Sequence, residues 1–201
     1  MQLYWAAASP YARKVRIVAR EKALAEEIEE ITVDVYADSA ILLAANPLGK
    51  IPALVLDDGL PLYDSPVICA FLDAHPRGQG AQLCPSSGPE RWQVLRAQAL
   101  GDGAMDLALG LTLERRKPEG EHSPTTAGRW RTQLARAVDA MMPELMALPG
   151  EMTLGHITIV CALDYIDFRH PDFGWREGRA DLAGWHYDIT GRPSLAATAP
   201  K

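Results

Sequence analysis

The stretch that decides the fold runs from residue 46 to residue 66 and reads Asn-Pro-Leu-Gly-Lys-Ile-Pro-Ala-Leu-Val-Leu-Asp-Asp-Gly-Leu-Pro-Leu-Tyr-Asp-Ser-Pro. Two short apolar runs, Ala53 to Leu56 and Leu60 to Tyr63, are separated by Asp57-Asp58-Gly59. Because Asp-Gly supplies the positive φ that tight turns need, the pattern predicts a β-hairpin. A helix is predicted directly after the hairpin, from Pro66 to about Ala74.

The residues before this stretch predict a β-α-β unit. Gln2 to Trp5 is a brief strand, Tyr11 to Lys22 repeats its apolar residues at helical spacing, and Ile31, Val33 and Val35 alternate with polar neighbours. The first 75 residues are therefore β-α-β, a connecting segment, and β-β-α. We expect the first two strands to be parallel and the last two antiparallel.

The chain changes character near residue 76. Prolines and glycines cluster between His75 and Pro89, which predicts a linker over residues 76–89. Downstream, helical periodicity predicts four helices without a convincing strand: Glu90 to about Arg116, Thr125 to Leu148, Thr158 to about Arg169, and Asp181 to Ile189. We therefore predict an α/β domain over residues 1–75 and an all-α domain over residues 90–201.

Composition and charge narrow the classes of function. The 201 residues are 48% hydrophobic, and 20 Lys plus Arg against 26 Asp plus Glu give a net charge of -6, which argues against nucleic acid as a partner. No apolar run reaches the roughly 18 to 20 residues that cross a bilayer, and no basic residue precedes Leu3 to Ala8 as in a secretory signal. We expect a cytoplasmic protein that does not span a membrane. Three dispersed cysteines and five dispersed histidines predict reduced thiols and no metal site.

One local device occurs as Ser9-Pro10 and again as Ser65-Pro66, each before a predicted helix. Serine is a favoured N-cap and proline a favoured first helical residue, so each pair could be a cap and nothing more. A helix start also presents free N–H groups and about half a positive charge, which suits an anion. Two such starts could therefore hold two anionic groups of one ligand.

Taken together, the motifs resemble those of the glutathione transferase family. The resemblance rests on Ser9-Pro10-Tyr11, on Asn46 to Leu54, on Asp64-Ser65 and on the closing Gly191-Arg192-Pro193-Ser194, and it covers essentially the whole chain. It implies the glutathione transferase fold, with a thioredoxin-like first domain that binds glutathione and an all-helical second domain. It also implies a cis peptide bond before Pro52, and a cytoplasmic homodimeric enzyme of detoxification with glutathione as co-substrate.

The resemblance implies a partner for each group of glutathione. The backbone of Ile51, before Pro52, pairs with the cysteinyl backbone of the ligand. Ser65 takes the γ-glutamyl carboxylate, Asp64 accepts the γ-glutamyl amine, and Lys50 approaches the glycyl carboxylate. Outside the resemblance, Lys50 could equally be a surface lysine and Asp64 a turn residue.

Ser9 is the residue that the resemblance places against the glutathione thiol. A free thiol, with a pKa near 8.5, is mostly protonated at neutral pH. A hydroxyl that donates to the sulfur adds about 1.5 to 3 kcal/mol and the helix start about 0.3 to 1 kcal/mol, which together lower the thiol pKa by roughly one to three. Tyr4 and Tyr11 are alternative donors. Ser9 to Ala12 also resembles the Cys-Pro-Tyr-Cys of glutaredoxins without its cysteines, so disulfide exchange through a protein thiol is not expected.

The second substrate is expected to be a small hydrophobic electrophile held in a cleft between the domains. Its candidate contacts are Ala7, Ala8, Met105, Arg115, Tyr165 and Trp175. Tyr165 and Trp175 could instead be ordinary core residues, and Arg115 part of a solvated helix end. The predicted reaction is attack of the thiolate on an electrophilic carbon. The alternatives are a glutathione-dependent peroxidase or lyase, and a non-catalytic partner-binding protein.

One motif of the family departs from its usual form. Many members have, at the start of a helix in the second domain, a Ser or Thr followed three residues later by Asp. Matching that threonine to Thr158 puts Cys161 at the acidic position, which predicts that Thr158 caps its helix and that half of the capping box is lost.

Overall fold

The computed structural model describes residues 1–37, 39–150 and 152–200, which form two compact units. The first unit runs from Met1 to Cys84 and includes the segment from Pro193 onward, and the second runs from Pro85 to Arg192. In chain order the elements are β1 (Gln2–Trp5), α1 (Pro10–Glu21), β2 (Glu29–Thr32), α2 (Ala40–Ala45), β3 (Ala53–Val55), β4 (Pro61–Leu62), α3 (Ser65–Asp73), α4 (Pro89–Arg115), α5 (Pro124–Met146), α6 (Leu154–Arg169), α7 (Ala180–Thr190) and α8 (Pro193–Ala196).

The strands of the first unit form one sheet in the order β2-β1-β3-β4. β1 and β2 are parallel, whereas β3 is antiparallel to both β1 and β4. The expected strand directions are therefore confirmed. On the sheet, Tyr4 and Ala53 form a buried cluster with Val33, Leu42 and Ala45, the last two of which belong to α2. α1 packs against α3, and α3 against β3.

Two features of the first unit differ from the sequence prediction. α2 lies in what was expected to be a connecting segment, because six residues are too few to show a helical period and the helix is held by Leu42 and Ala45. β2 also ends at Thr32, before the predicted Val33 and Val35. The apolar alternation continues past the strand because both valines pack on the same cluster.

Part of the predicted linker is hydrogen-bonded to the first unit. Lys22 is buried and lies 3.3 Å from Asp73, and its ammonium donates to the carbonyl of Ala81 at 3.0 Å. The Asp73 carboxylate in turn accepts the backbone N–H groups of Leu83 and Cys84 at 2.8 and 2.9 Å. This buried ion pair ties the breaker-rich segment to the first unit as far as Cys84.

The C-terminal segment also departs from the predicted domain boundaries. Residues from Pro193 onward were expected to belong to the helical domain, but they cluster with the first unit, where α8 contacts α1. The reason is burial: Ser194, Leu195 and Thr198 are 7%, 1% and 3% exposed. Only a tertiary contact, which no local pattern encodes, fixes this arrangement.

The second unit is built around α6. Every residue of α6 from Leu154 to Leu163 is buried, as expected for a helix that is apolar on all sides. α4 packs against both α5 and α6. The approach of α4 to α6 is close at Gly101, where an added Cβ would lie 2.7 Å from Cγ2 of Thr158. No helix within the described residues is both long and apolar enough to cross a membrane.

The capping box of α6 is complete and lies five residues before its predicted place. Thr153 is the N-cap: its hydroxyl accepts the N–H of His156, and Nδ1 of His156 accepts the N–H of Thr153 at 3.1 Å. The expectation that Thr158 caps the helix is wrong, because Thr158 lies inside α6 and donates to the carbonyl of Leu154. Burial lowers the pKa of His156 to about 4, so the imidazole is neutral and can accept.

Candidate functional site

Three segments of the first unit come together at one end of its sheet. Tyr4 of β1 is paired with Ala53 of antiparallel β3, so the residues after β1 lie beside those before β3. β3 is paired with β4 through Leu54 and Leu62, which brings the residues after β4 to the same end. Three segments therefore lie at the same end of the sheet: the turn that leads to α1, the Lys50-Ile51-Pro52 segment and the start of α3.

Ser9 is the N-cap of α1 and holds its hydroxyl in a defined orientation. Its Oγ accepts the backbone N–H of Ala12 at 3.2 Å, while its own N–H donates to the carbonyl of Ala6 at 3.0 Å. Because that bond uses a lone pair of the oxygen, the O–H hydrogen remains available to a ligand. Ser9 is half-buried, so a ligand can reach it.

The alternative hydroxyl donors are placed differently. Tyr4 is 8% exposed and its side chain belongs to the cluster between the sheet and α2. That position removes it from the surface at the start of α1. Tyr11 is half-buried on the first turn of α1, after Ser9. Of the two tyrosines, Tyr11 is therefore the alternative donor that lies near the start of α1.

Ser65 differs from Ser9 because it does not cap its helix. The N-cap of α3 is Asp64, whose carboxylate accepts the N–H of Ser65. Ser65 is the first residue of the helix, 1% exposed, and its Oγ has no hydrogen-bond partner among the described residues. A buried hydroxyl without a partner is costly in a folded protein and points to a ligand that completes it.

The segment before β3 is shaped by Asn46, a residue to which the sequence assigned no role. Asn46 is 2% exposed, its Nδ2 donates to the carbonyl of Lys50 at 2.8 Å, and its Oδ1 accepts the N–H of Leu48 at 3.0 Å. The Ile51-Pro52 peptide bond is cis, as the family resemblance implied. Ile51 lies outside the β1–β3 register, which starts at Ala53, and Lys50 is exposed. The signal for Asn46 was the turn sequence Asn-Pro-Leu-Gly, in which an Asx side chain bonds to the following backbone.

The residues proposed to contact an electrophile fall into two groups. Ala7 and Ala8 lie in the turn after β1, exposed and half-buried respectively. In the second unit, Met105, Tyr165 and Trp175 are 0%, 4% and 1% exposed, and Trp175 donates to Asp167 at 2.8 Å. All three side chains are buried, as expected for the alternative in which Tyr165 and Trp175 are core residues, and their contact with an electrophile stays a prediction.

Arg115 is exposed and lines a cavity within the second unit. The cavity has a volume of about 310 Å³ and is lined by Leu111, Glu114, Arg115, His122, Ser123, Pro124, Ala127, Arg131, His170 and Asp172. Its charged groups are paired: Arg115 donates to the carbonyl of Arg169 at 2.7 Å and Arg131 to Asp172 at 3.1 Å. Burial lowers the pKa of His170, which keeps its ring neutral. The volume suits a small molecule.

Ser-Pro occurs a third time at the start of α5, a helix that was predicted from Thr125. Ser123 caps the helix through a bond from the N–H of Thr126 at 3.3 Å, ahead of Pro124. This pair lies in the second unit, whereas the sheet belongs to the first. Ser-Pro by itself therefore indicates only a helix start, and the Ser65 hydroxyl differs from the other two because Asp64 is the N-cap of its helix.

An acidic cluster in the second unit is already occupied by protein groups. Asp164, Asp167 and His186 offer ligand atoms within 4.8 Å of one another. Asp167 is bound in bidentate fashion by Arg176 at 2.7 and 2.8 Å, which raises the pKa of the guanidinium, and Asp164 lies 2.6 Å from Nε2 of His186. We interpret the cluster as an internal ion-pair network.

Comparison with known proteins identifies the family to which the chain belongs. Residues 8–75 match the family described as Glutathione S-transferase, N-terminal domain. Over its full length the chain is 30% identical to the uncharacterized GST-like protein YibF of Escherichia coli (strain K12), and the alignment covers 100% of this chain and 98% of that protein. The chain belongs to the glutathione S-transferase family.

Solved structures of family members support this assignment. A glutathione transferase family member from Pseudomonas fluorescens Pf-5, with bound glutathione, is 37% identical with a TM-score of 0.91, and the match covers 100% of this chain and 98% of that one. A structure described as a family member from the same organism holds S-(propanoic acid)-glutathione; it is 38% identical with a TM-score of 0.89 and complete coverage of both chains. The fold is that of a glutathione transferase, with a thioredoxin-like first unit and a mostly helical second one.

Proposed function

We propose that this glutathione transferase family member binds glutathione at the end of its sheet and activates the thiol with Ser9. The observation that carries the proposal is the hydrogen bond from the Ala12 N–H to Ser9 Oγ, which leaves the serine hydrogen free to donate to sulfur. Donation to the thiolate, together with the positive end of α1, favours the charged form of the sulfur. The thiolate then attacks the electrophilic carbon of a second substrate, and no bond to the protein forms.

Groups at the same end of the sheet as Ser9 support glutathione as the ligand. The orphan hydroxyl of Ser65 and the start of α3 suit the γ-glutamyl carboxylate. One carboxylate oxygen of Asp64 caps the helix, which leaves the other for the γ-glutamyl amine. The backbone of Ile51, outside the β1–β3 register, pairs with the cysteinyl unit, and exposed Lys50 approaches the glycyl carboxylate.

The relatives support glutathione as the ligand and suggest a class of second substrate. The Pseudomonas fluorescens Pf-5 family member is seen with glutathione in one structure and, in another, with a thioether that joins the glutathione sulfur to propanoic acid. By analogy, we take small acids with an electrophilic carbon as the first class to test. If the acid is unsaturated, the sulfur bonds to its β-carbon and a proton goes to its α-carbon; the reverse elimination is the lyase alternative.

A pair of measurements tests the proposal. Calorimetric titration should give saturable glutathione binding, and the ultraviolet absorption of the bound thiol should show a thiolate pKa below 8.5. Turnover of a generic aryl halide should follow. Absence of binding at millimolar glutathione would reject the enzyme, whereas binding without a lowered pKa would favour a carrier or partner-binding protein.

Two further elements of the proposal concern the second substrate and the assembly. Arg115, on the exposed end of α4, is the remaining charged candidate for contact with an acidic electrophile, and Arg115→Gln should raise KM for the acid but not for a neutral aryl halide. We further propose a homodimer, as the family resemblance implies; exposed large apolar side chains, among them Leu48, Trp92 and Met146 at 64%, 67% and 75%, are candidates for its interface. Light scattering on the protein as it elutes from a size-exclusion column gives the molar mass, which distinguishes a dimer from a monomer.

A further inference from the structure

The C-terminal segment returns to the helix that carries Ser9. After α7, the chain enters α8, whose Leu195 is 1% exposed, and Thr198 closes the segment with a bond to the carbonyl of Ser194 at 2.9 Å. α8 packs against α1 within the first unit. Because three of its residues are buried, this segment is an integral part of the first unit.

Two consecutive residues of α8 contact α1 at positions near its two ends. The carbonyl of Leu195 accepts a hydrogen bond from Nη2 of Arg13 at 3.4 Å, and the hydroxyl of Ser194 donates to the carboxylate of Glu21. Eight residues along a helix correspond to about 12 Å. The contacts therefore span most of α1, so that a tilt or shift of the helix would break at least one of them.

Arg13 connects these contacts to Ser9. It lies one helical turn after Ser9, its backbone N–H donates to the carbonyl of Ser9 at 3.0 Å, and its side chain is only 4% exposed. Fixing Arg13 thus fixes the first turn of α1, which includes the N–H of Ala12 that orients the serine hydroxyl. A hydroxyl must be held within about 0.5 Å of its working position to be effective.

We propose that the segment from Pro193 onward is a clamp on α1, and that Arg13 is the positioning residue through which it sets the orientation of Ser9. The inference rests on the proposed role of Ser9. It predicts that loosening α8 harms thiol activation more than glutathione affinity, since the groups that bind the γ-glutamyl and glycyl ends lie on other segments.

The test compares variants of the full chain. Arg13→Met removes the bond to Leu195, and Leu195→Ala loosens α8 while Arg13 keeps its charge. Arg20→Met is the matched control, because Arg20 lies on the same helix and its guanidinium binds the Arg16 carbonyl and Glu30. Both test variants should raise the pKa of bound thiol by about one and lower kcat roughly tenfold, with glutathione Kd within about threefold of the parent. Arg20→Met should leave all three unchanged.

Hydrogen exchange of the α1 amides without glutathione separates failure of the clamp from failure of the proposed function. The test variants should exchange these amides roughly tenfold faster, whether or not the enzyme turns over. Unchanged exchange and thiol pKa in folded Arg13→Met would overturn the clamp while leaving Ser9 in place. A change in thiol pKa in Arg13→Met alone, without Leu195→Ala, would also overturn it, since charge and not position would then be the cause.

Discussion

Oγ of Ser9 accepts the backbone N–H of Ala12 at 3.2 Å, so the side chain that caps α1 is also the one proposed to face the glutathione thiol. The two roles can be separated by substitution. Ser9→Ala should lose the cap, at about 1 kcal/mol of unfolding free energy, and raise the pKa of bound thiol. Ser9→Asp should keep the cap but raise the thiol pKa further, because it places a negative charge beside the thiolate.

Thermal unfolding and ultraviolet thiolate titration of the two Ser9 variants measure these effects. Ser9→Thr, which retains both the cap and the hydroxyl, is the control and should stay near the parent in each. An unaltered thiolate titration in Ser9→Ala would remove Ser9 from the mechanism and turn attention to Tyr11.

Ser65→Ala should weaken glutathione binding by about tenfold to a hundredfold without destabilising the free protein. The buried hydroxyl of Ser65 has no partner among the described residues, so its removal costs the unliganded fold nothing, while the ligand loses a charge-assisted hydrogen bond. Calorimetry gives Kd, and urea unfolding gives the stability.

Ser123→Ala is the matched control, since Ser123 is also followed by proline but does cap its helix. It should lose about 1 kcal/mol of stability and keep its glutathione affinity. If Ser65→Ala instead destabilised the free protein as Ser123→Ala does, the hydroxyl would be structural.

Gly101→Ala and Gly103→Ala should have opposite effects on stability, although both lie inside α4. A Cβ on Gly101 would meet the side chain and backbone of Thr158 at 2.7 to 3.0 Å, whereas a Cβ on Gly103 meets nothing within 4 Å. We expect Gly101→Ala to cost about 1 to 3 kcal/mol and Gly103→Ala to gain up to about 1 kcal/mol. Denaturant unfolding measures the change in unfolding free energy of each variant. Equal changes would mean that α4 and α6 are less tightly packed than the structure shows.

His156→Gln should change how stability depends on pH. Burial lowers the pKa of His156 to about 4 from an ordinary value of 6.5, so between these values the unfolded chain binds the proton more readily than the folded one. The stability that neutral His156 contributes is present above pH 6.5 and is lost as pH falls toward 4, by up to about 3 kcal/mol.

Glutamine keeps an acceptor for the Thr153 N–H without titrating, so the difference in unfolding free energy between parent and variant should shift in favour of the variant as pH falls from 6.5 to 4. Other groups, including His170, cancel in that difference. A difference independent of pH in this window would contradict the assignment.

How much the sequence predicts depends on whether a feature is local. The hairpin and the starts of α1 and α3 follow from Asp-Gly and Ser-Pro, whose effects are confined to neighbouring residues. α2 does not follow from the local sequence, because it is stabilised by the tertiary packing of Leu42 and Ala45. Thr153 and Thr158 both precede apolar residues, and only the bond to His156 identifies the cap.

The site follows the same division. The strand order was enough to infer that the three segments meet at one end of the sheet. The family resemblance was enough to infer the cis bond before Pro52. The Ser65 hydroxyl, which has no partner among the described residues, could not be inferred, because it depends on which of two adjacent residues caps α3. The burial of Met105, Tyr165 and Trp175 could not be inferred either, because their chemical type suits a core as well as a pocket.

The unit that carries Ser9 is discontinuous in the chain, with α1 near its beginning and α8 near its end. A ribosome makes α1 first, and all of the second unit is synthesised before α8 exists. The first unit consequently cannot complete its contacts until the whole of the second unit has been synthesised. A chain that stops before Pro193 would carry every glutathione-binding residue proposed above, yet lack the final contacts of the helix that presents the serine.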